Sequence, residues 1–423
     1  MNTINFKTAS FKDFEDPAGY NAYARAAYFN EFLDYLEQEE RLNYRFETCS
    51  AAGPEVELFI PKLGGRDKYV SLVSNDYLGF SQHPLVKKAA VFGLQYYGTG
   101  AGASPAIGGH FSYHRELEEK ISAFFQRKDA IIYTTGYTAN SSTLPSLLGK
   151  EDLVITDMKV HASMFDGCRG KIQKTFRHND LDHLEMILRN ALDKYLTRFV
   201  VVDGVYSQDG DLALLPAIIA LAHRYGAYVI MDDAHGVGVI GKTGRGVIEQ
   251  GNLYQQVDII TGTFSKTFGH LGGYVIASPE LIRFLKFQSR QHLFSVTATP
   301  ASMGILKAID LIDEQPEWRD MLWENVNRFT SGLRSLGLDI GNTASAIVPV
   351  KIGDMALTGE VSRHLLRAGV YANPIMYPAV SKKDSRIRMS LMATHTPEQI
   401  DKVLNAFDDI SRKLPIRKAE EVR

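Results

Sequence analysis

Five short apolar runs, Ala130–Tyr133, Leu153–Ile155, Phe199–Val202, Tyr228–Met231 and Asp258–Ile260, are separated by stretches of helical spacing such as Leu181–Tyr195 and Leu215–Arg224. Strands that are apolar on both faces and alternate with helices build a mainly parallel sheet with helices on each side. The fold class is therefore α/β. Each run also gives way to polar residues at its C-terminal end. These are Tyr133-Thr-Thr-Gly-Tyr137, Asp157-Met-Lys-Val-His-Ala-Ser163, Val202-Asp-Gly-Val-Tyr-Ser-Gln-Asp-Gly210, Asp232-Asp-Ala-His235 and Gly262-Thr-Phe-Ser-Lys266. Open α/β sheets bind ligands at that edge. One such end reads as a capped turn; five together predict a site.

Around this series the chain divides into residues 1–70, an N-terminal arm and helix; 71–320, the large domain; and 321–423, a smaller C-terminal α+β domain. Residues 1–17 read as a loose polar arm. Tyr23, Tyr28, Phe32, Tyr35 and Leu36 predict an amphipathic helix over Tyr20–Leu42, and Phe46–Val73 predicts short strands turning at Gly64-Gly65. Leu117, Ile121, Phe124 and Phe125 mark one face of a helix over Tyr113–Phe125, and Gly272–Ala277 is a further strand. Residues 280–340 read as helical, Ser345–Val380 and Arg386–Ser390 as short strands, and Pro397–Lys413 as a closing helix.

Composition removes several function classes. Lys+Arg 47 against Asp+Glu 49 gives a net charge of -2, so nothing suggests nucleic acid as a partner. Cys49 and Cys168 make neither a disulfide framework nor a metal pattern. The longest apolar run, Leu212–Ala222, contains a proline and is too short to span a bilayer, and the N-terminus lacks a signal pattern. A cytoplasmic protein is expected. Gly236-Val-Gly-Val-Ile-Gly241 matches a dinucleotide fingerprint, but Lys-Thr-Gly-Arg-Gly follows where a helix is required, so NAD binding is not expected.

The polar ends supply what pyridoxal phosphate (PLP) needs. Lys266 is an isolated lysine among small and apolar neighbours, and partial burial makes such an amine nucleophilic and able to form a Schiff base. Asp232 can pair with the ring nitrogen and His161 can stack on the ring. Gly136 and Tyr137 at a helix start, with the Thr263 and Ser265 hydroxyls, can hold the phosphate.

With Ser74–Gly79, His161-Ala-Ser163, Gly204–Asp211, Asp232–Gly241 and Gly262–Lys266, the chain resembles the α-oxoamine synthases of fold-type I PLP enzymes from about Ser71 to Ile400. The resemblance implies a homodimer with a shared site that condenses an amino acid with an acyl-CoA or acyl-carrier-protein thioester and releases carbon dioxide. It implies that Lys266 carries the cofactor and removes the Cα proton, and that Asp232 and His161 act as above. His235 and Ser207 would approach the ring hydroxyl, with His235 also near the thioester carbonyl. Asn75 and Arg388 would hold the substrate carboxylate, and Thr297 would reach the phosphate across the dimer interface.

Arg388–Thr396 and Asn373–Ala379 are similar to bacterial serine palmitoyltransferases, whereas Asp233–Gly241 and His178-Asn-Asp180 lean towards 8-amino-7-oxononanoate synthases. Ser104-Pro105 departs from the Ser-Arg of serine- and glycine-using branches. The expectation favours a lipid-forming enzyme using serine, alanine or a cysteate-like amino acid, whose lipid product would bring it into peripheral membrane contact. 8-Amino-7-oxononanoate synthesis from alanine is the alternative, and a plain aminotransferase the remaining one.

Overall fold

The computed structural model describes residues 4–42 and 45–417. Three N-terminal strands, β1 (Glu47–Thr48), β2 (Glu55–Ile60) and β3 (Gly65–Ser71), form an antiparallel ribbon. The series that follows is β4 (Asp129–Tyr133), β5 (Leu153–Asp157), β6 (Ile172–Phe176), β7 (Arg198–Asp203), β8 (Tyr228–Asp232), β9 (Ile259–Thr263) and β10 (Gly273–Ala277). These make one sheet in the order β4-β10-β9-β8-β7-β5-β6. All neighbouring pairs are parallel except those of β10, which runs antiparallel between β4 and β9. Reversing one strand between two others leaves β4 running with β9, so six C-terminal ends meet at one edge.

Helices cover both faces of this sheet. One layer packs under Ile131, Val154, Val201, Ile230 and Val275, and the other under Ile132, Ile155, Val200, Met231 and Ile276, as the period-two alternation of a doubly covered strand requires. The C-terminal segment adds β11 (Ile347–Lys351), β12 (Val370–Tyr371), β13 (Asn373–Ile375) and β14 (Arg386–Ser390), with β14 between β11 and β13. β12 pairs in parallel with β3, so the N-terminal ribbon shares a sheet with the C-terminal segment. The fold is that of a fold-type I transferase, a mostly parallel sheet between helices plus a smaller C-terminal domain with antiparallel strands.

Four expectations are corrected. β6 was not anticipated because Ile172-Gln-Lys-Thr-Phe176 is a partly exposed edge strand without an apolar run. A helix, Met355–Arg367, interrupts the stretch read only as strands; it buries Thr358 and Ser362 alongside Val361 and Leu365, so its inner stripe is not apolar throughout. The N-terminal arm is not loose from residue 4 onwards. Phe6 and Phe14 pack on Tyr28 and Phe32 of the helix Ala22–Gln38, with Phe14 stacked 4.7 Å from Phe32. Residues 1–3 of that arm lie outside the described residues. Tyr23, expected on the apolar face, is exposed instead. No described helix is long and apolar enough to cross a membrane.

Candidate active site

The central strands run further than their apolar cores. β5, β7, β8 and β9 extend through Asp157, Asp203, Asp232 and Thr263, so these polar residues are held by ladder hydrogen bonds rather than by loops. Above β4, β7, β8 and β9 lies a cavity of about 240 Å³ lined by Gly136, Tyr137, Asn140, His161, Asp203, Asp232, His235, Thr263, Ser265 and Lys266, among others. A larger cavity of about 390 Å³, between the N-terminal helix and the C-terminal domain, contains none of these groups.

Lys266 lies in the hairpin that joins β9 to β10. Phe264 N–H donates to Gly272 O at 2.9 Å and Gly269 N–H to Lys266 O at 2.8 Å, closing the loop. Phe264 and Phe268 are fully buried beneath it, their rings 5.4 Å apart, and they anchor the loop from below. Gly269 has φ +68°, and a Cβ there would come within 2.3 Å of Ser81 N, so only glycine fits against the segment that carries Asn75. Lys266 Nζ is 2.8 Å from His235 Nε2. Burial lowers its pKa to about 8, outweighing the opposite pull of Asp232 and Asp203, and Arg388 adds to the lowering.

Asp232 receives Asn140 Nδ2 at 2.6 Å and Ala234 N–H at 2.9 Å. Asn140 also donates to Ser163 Oγ at 3.0 Å, and Ser163 Oγ is 2.8 Å from His161 Nδ1. Asp203 accepts the His161 N–H at 3.1 Å; its carboxyl pKa is raised, first by burial and then by the neighbouring Asp232. The carboxylate and the imidazole named from sequence are thus tied into one polar frame by Asn140, Ser163 and Asp203. The sequence assigns a role to none of those three. Asn140 was the legible one, since it lies one helical turn after Gly136 and faces the same site.

At the start of the helix Gly136–Leu147, Thr135 Oγ1 caps Thr138 N–H at 3.0 Å and Thr135 O takes Ala139 N–H at 3.0 Å. The Gly136 and Tyr137 N–H groups are the two that a first helical turn leaves for an anion. A Cβ on Gly136 would sit 2.6 Å from Thr263 Cβ, so the cradle exists because the residue is glycine. Thr263 donates to Gly272 O at 2.9 Å, and Ser265 Oγ lies 2.7 Å from Thr263 Oγ1. Asn140 Oδ1 is buried without a partner among the described residues. An anion cradle, a carboxylate, an imidazole and a lysine of lowered pKa fit PLP.

Arg388, on β14, is brought to the same edge because Ser390 N–H donates to Leu72 O at 2.8 Å, three residues before Asn75. Its Nη2 donates to Asn75 Oδ1 at 3.1 Å, its Nη1 to Ser390 Oγ at 2.9 Å and its Nε to Ser207 O at 2.8 Å. Its guanidinium is a fork suited to a carboxylate. Ser207 therefore meets Arg388 through its carbonyl, and its side chain does not line the cavity. Thr297 is buried beside His114, 3.2 Å from His114 Nε2, and likewise lies outside the cavity of its own chain. Tyr77, unforeseen in the sequence, is wholly buried with its hydroxyl 2.6 Å from His235 Nδ1.

Residues 67–407 match the family model for class I and II aminotransferases. The chain is 39% identical over 352 residues to 8-amino-7-oxononanoate synthase of Alkaliphilus metalliredigens, covering 82% of this chain and 89% of that one. Among solved structures, a serine palmitoyltransferase variant from S. paucimobilis with bound PLP-myriocin aldimine superposes with a TM-score of 0.88 at 30% identity, over 94% of this chain and all (100%) of that one. An 8-amino-7-oxononanoate synthase from Francisella tularensis shares the fold, with a TM-score of 0.71 at 22% identity over 82% of this chain and 98% of that one. The chain belongs to the α-oxoamine synthases, the PLP-dependent acyltransferases within the class I and II aminotransferase family.

Proposed function

We propose that the protein catalyses the decarboxylating condensation of alanine with a pimeloyl-type thioester, as an 8-amino-7-oxononanoate synthase. The observation that carries this reading is the 39% identity to the A. metalliredigens synthase across most of both chains. It takes the place of the lipid-forming reading favoured by the motifs around Arg388. That second reading, serine or a cysteate-like amino acid with a fatty acyl thioester, keeps support from the TM-score of 0.88 to a serine palmitoyltransferase.

PLP held by the Gly136–Tyr137 cradle, Asp232, His161 and Lys266 supplies an electron sink for a carbanion at the amino acid Cα. Arg388 and Asn75 bind the substrate carboxylate and so fix which Cα bond stands ready to break. Lys266 Nζ takes the Cα proton; its pKa of about 8 leaves about a tenth of the amine uncharged at pH 7, far more than for an ordinary lysine. His235, 2.8 Å from that nitrogen, holds it in place. A new Cα–acyl bond forms, the thiol leaves, the carboxylate departs as carbon dioxide, and a proton returns to Cα. Thr297 would complete the phosphate cradle of a partner copy, which makes the active form a homodimer.

The test is a matrix of alanine, serine, glycine and cysteate against pimeloyl and palmitoyl thioesters of CoA and of acyl-carrier protein. Thiol release and product mass are read for each pair. Alanine with a pimeloyl thioester should give the highest kcat/KM. A preference of tenfold or more for palmitoyl-CoA, about 1.4 kcal/mol of transition-state discrimination, would replace this reading with the lipid one.

A further inference from the structure

We propose that Tyr77 is a positioning residue that fixes His235 as its Nε2–H tautomer and thereby favours the uncharged form of the Lys266 amine. The inference deepens the reading of Lys266 as the reacting amine and rests on it. The polar contacts form a continuous line. Arg388 and Ser390 meet Asn75, Asn75 meets Tyr77, Tyr77 meets His235, and His235 meets Lys266.

The direction of the protons follows from counting acceptors. An amide oxygen has two lone pairs. Asn75 Oδ1 already takes Arg388 Nη2 at 3.1 Å and Ser390 Oγ at 3.2 Å; Ser390 has its own hydrogen free for this because its oxygen accepts from Arg388 Nη1 at 2.9 Å. The Tyr77 hydroxyl is 3.3 Å from that saturated oxygen but only 2.6 Å from His235 Nδ1. Its proton therefore goes to Nδ1. A neutral imidazole that accepts at one nitrogen carries its hydrogen on the other. His235 then donates Nε2–H across the 2.8 Å to Lys266 Nζ, which can accept only through the lone pair of an uncharged amine.

The surroundings support a neutral ring. His235 is buried, and its pKa lies well below the usual value through burial first, then through Lys266, Arg388 and His161. Two carboxylates, Asp232 and Asp203, face Lys266 from β8 and β7 and favour its cation; Arg388 from β14 opposes them. The Tyr77–His235 bond acts on the same balance from the remaining side. Tyr77 is held phenolic, its pKa pushed up to about 12 by burial, so it remains a donor throughout the neutral range.

Neutron diffraction from deuterated full-length protein stripped of PLP locates the deuteron directly. It should lie on His235 Nε2, with the Tyr77 deuteron pointing to Nδ1. A deuteron on Nδ1 in the unsubstituted protein would overturn the proposal, and this arm needs no variant to fold. In Tyr77→Phe, Nδ1 loses its donor and Nε2 becomes free to accept from a lysine ammonium. The rate of Lys266 acylation by a small amine reagent at pH 7, read by peptide mass spectrometry, should then fall about tenfold, equivalent to a pKa rise of about one unit. An unchanged rate in folded Tyr77→Phe would also overturn it. Neither arm uses substrates, so a different substrate pair in the thiol-release matrix leaves these outcomes unaffected.

Discussion

Lys266 and Arg388 divide the work at the scale of single residues. With the lysine pKa at about 8, its reactivity towards amine reagents in protein stripped of PLP should rise about tenfold per pH unit below that value and level off above it. A profile that rises unchanged to pH 10 would show that the fold does not lower this pKa. Lys266→Ala should abolish product formation and remove the visible absorbance of lysine-bound PLP. Arg388→Ala should raise KM for the amino acid at least tenfold while changing KM for the thioester little, because the role proposed for the guanidinium is to meet only the carboxylate end; equal effects on both would refute that assignment.

At the scale of elements, the loop Gly204–Asp211 ties the C-terminal domain to the central sheet. Arg386, fully buried on β14, pairs with Asp209, which Lys159 also reaches at 2.8 Å. His178, at the end of β6, lies 3.1 Å from Asp157 and 2.8 Å from Asp211. Burial lowers its pKa, but the hydrogen bonds and charges of the two carboxylates outweigh that and raise it to about 9. The folded pKa exceeds the unfolded one, so the stabilisation is fully present below about pH 6.5 and is lost as pH rises through about 9. His178→Gln should cost on the order of 2 kcal/mol in urea unfolding at pH 6 and much less at pH 10. A cost independent of pH would mean that the imidazolium does not hold the loop.

This element also shows where the sequence was readable. Apolar runs announced β4, β5, β7, β8 and β9, since strands buried on both faces have no other composition to use. Their polar ends named Lys266, Asp232, His161 and Gly136, because a strand end facing a cavity is where polar residues break the pattern. The supporting frame was not readable. Apart from Asn140, whose place one helical turn after Gly136 was a signal, Ser163, Asp203 and Tyr77 are ordinary polar or aromatic residues in their own segments, and their roles appear only when distant segments meet. Tyr77 and His235 are 158 residues apart in the chain. β6 and the helix Met355–Arg367 escaped because their inward positions are partly polar.

At the scale of the whole molecule, one chain leaves large apolar side chains exposed on the helix Pro84–Tyr97, namely Leu85, Val91, Phe92, Leu94 and Tyr96. Phe287 and Phe294, near Thr297, are exposed as well. A cluster of exposed apolar side chains on one helix is a candidate interface, and the proposed homodimer would give it an occupant. Sedimentation should show a dimer, and Phe92→Glu combined with Phe287→Glu should give a monomer with little activity. A fully active monomer would remove Thr297 from the site.

In the proposed reaction this site joins an acyl group to an amino acid at the expense of its carboxylate. Incubating the enzyme with carboxyl-labelled alanine and a pimeloyl thioester, and counting free thiol and labelled carbon dioxide in the same reaction, tests this most directly. The two should appear in equal amounts, only when both substrates are present, and not at all with Lys266→Ala. Keto acid formed from alanine without thiol release, or thiol released with the label retained in the product, would contradict it.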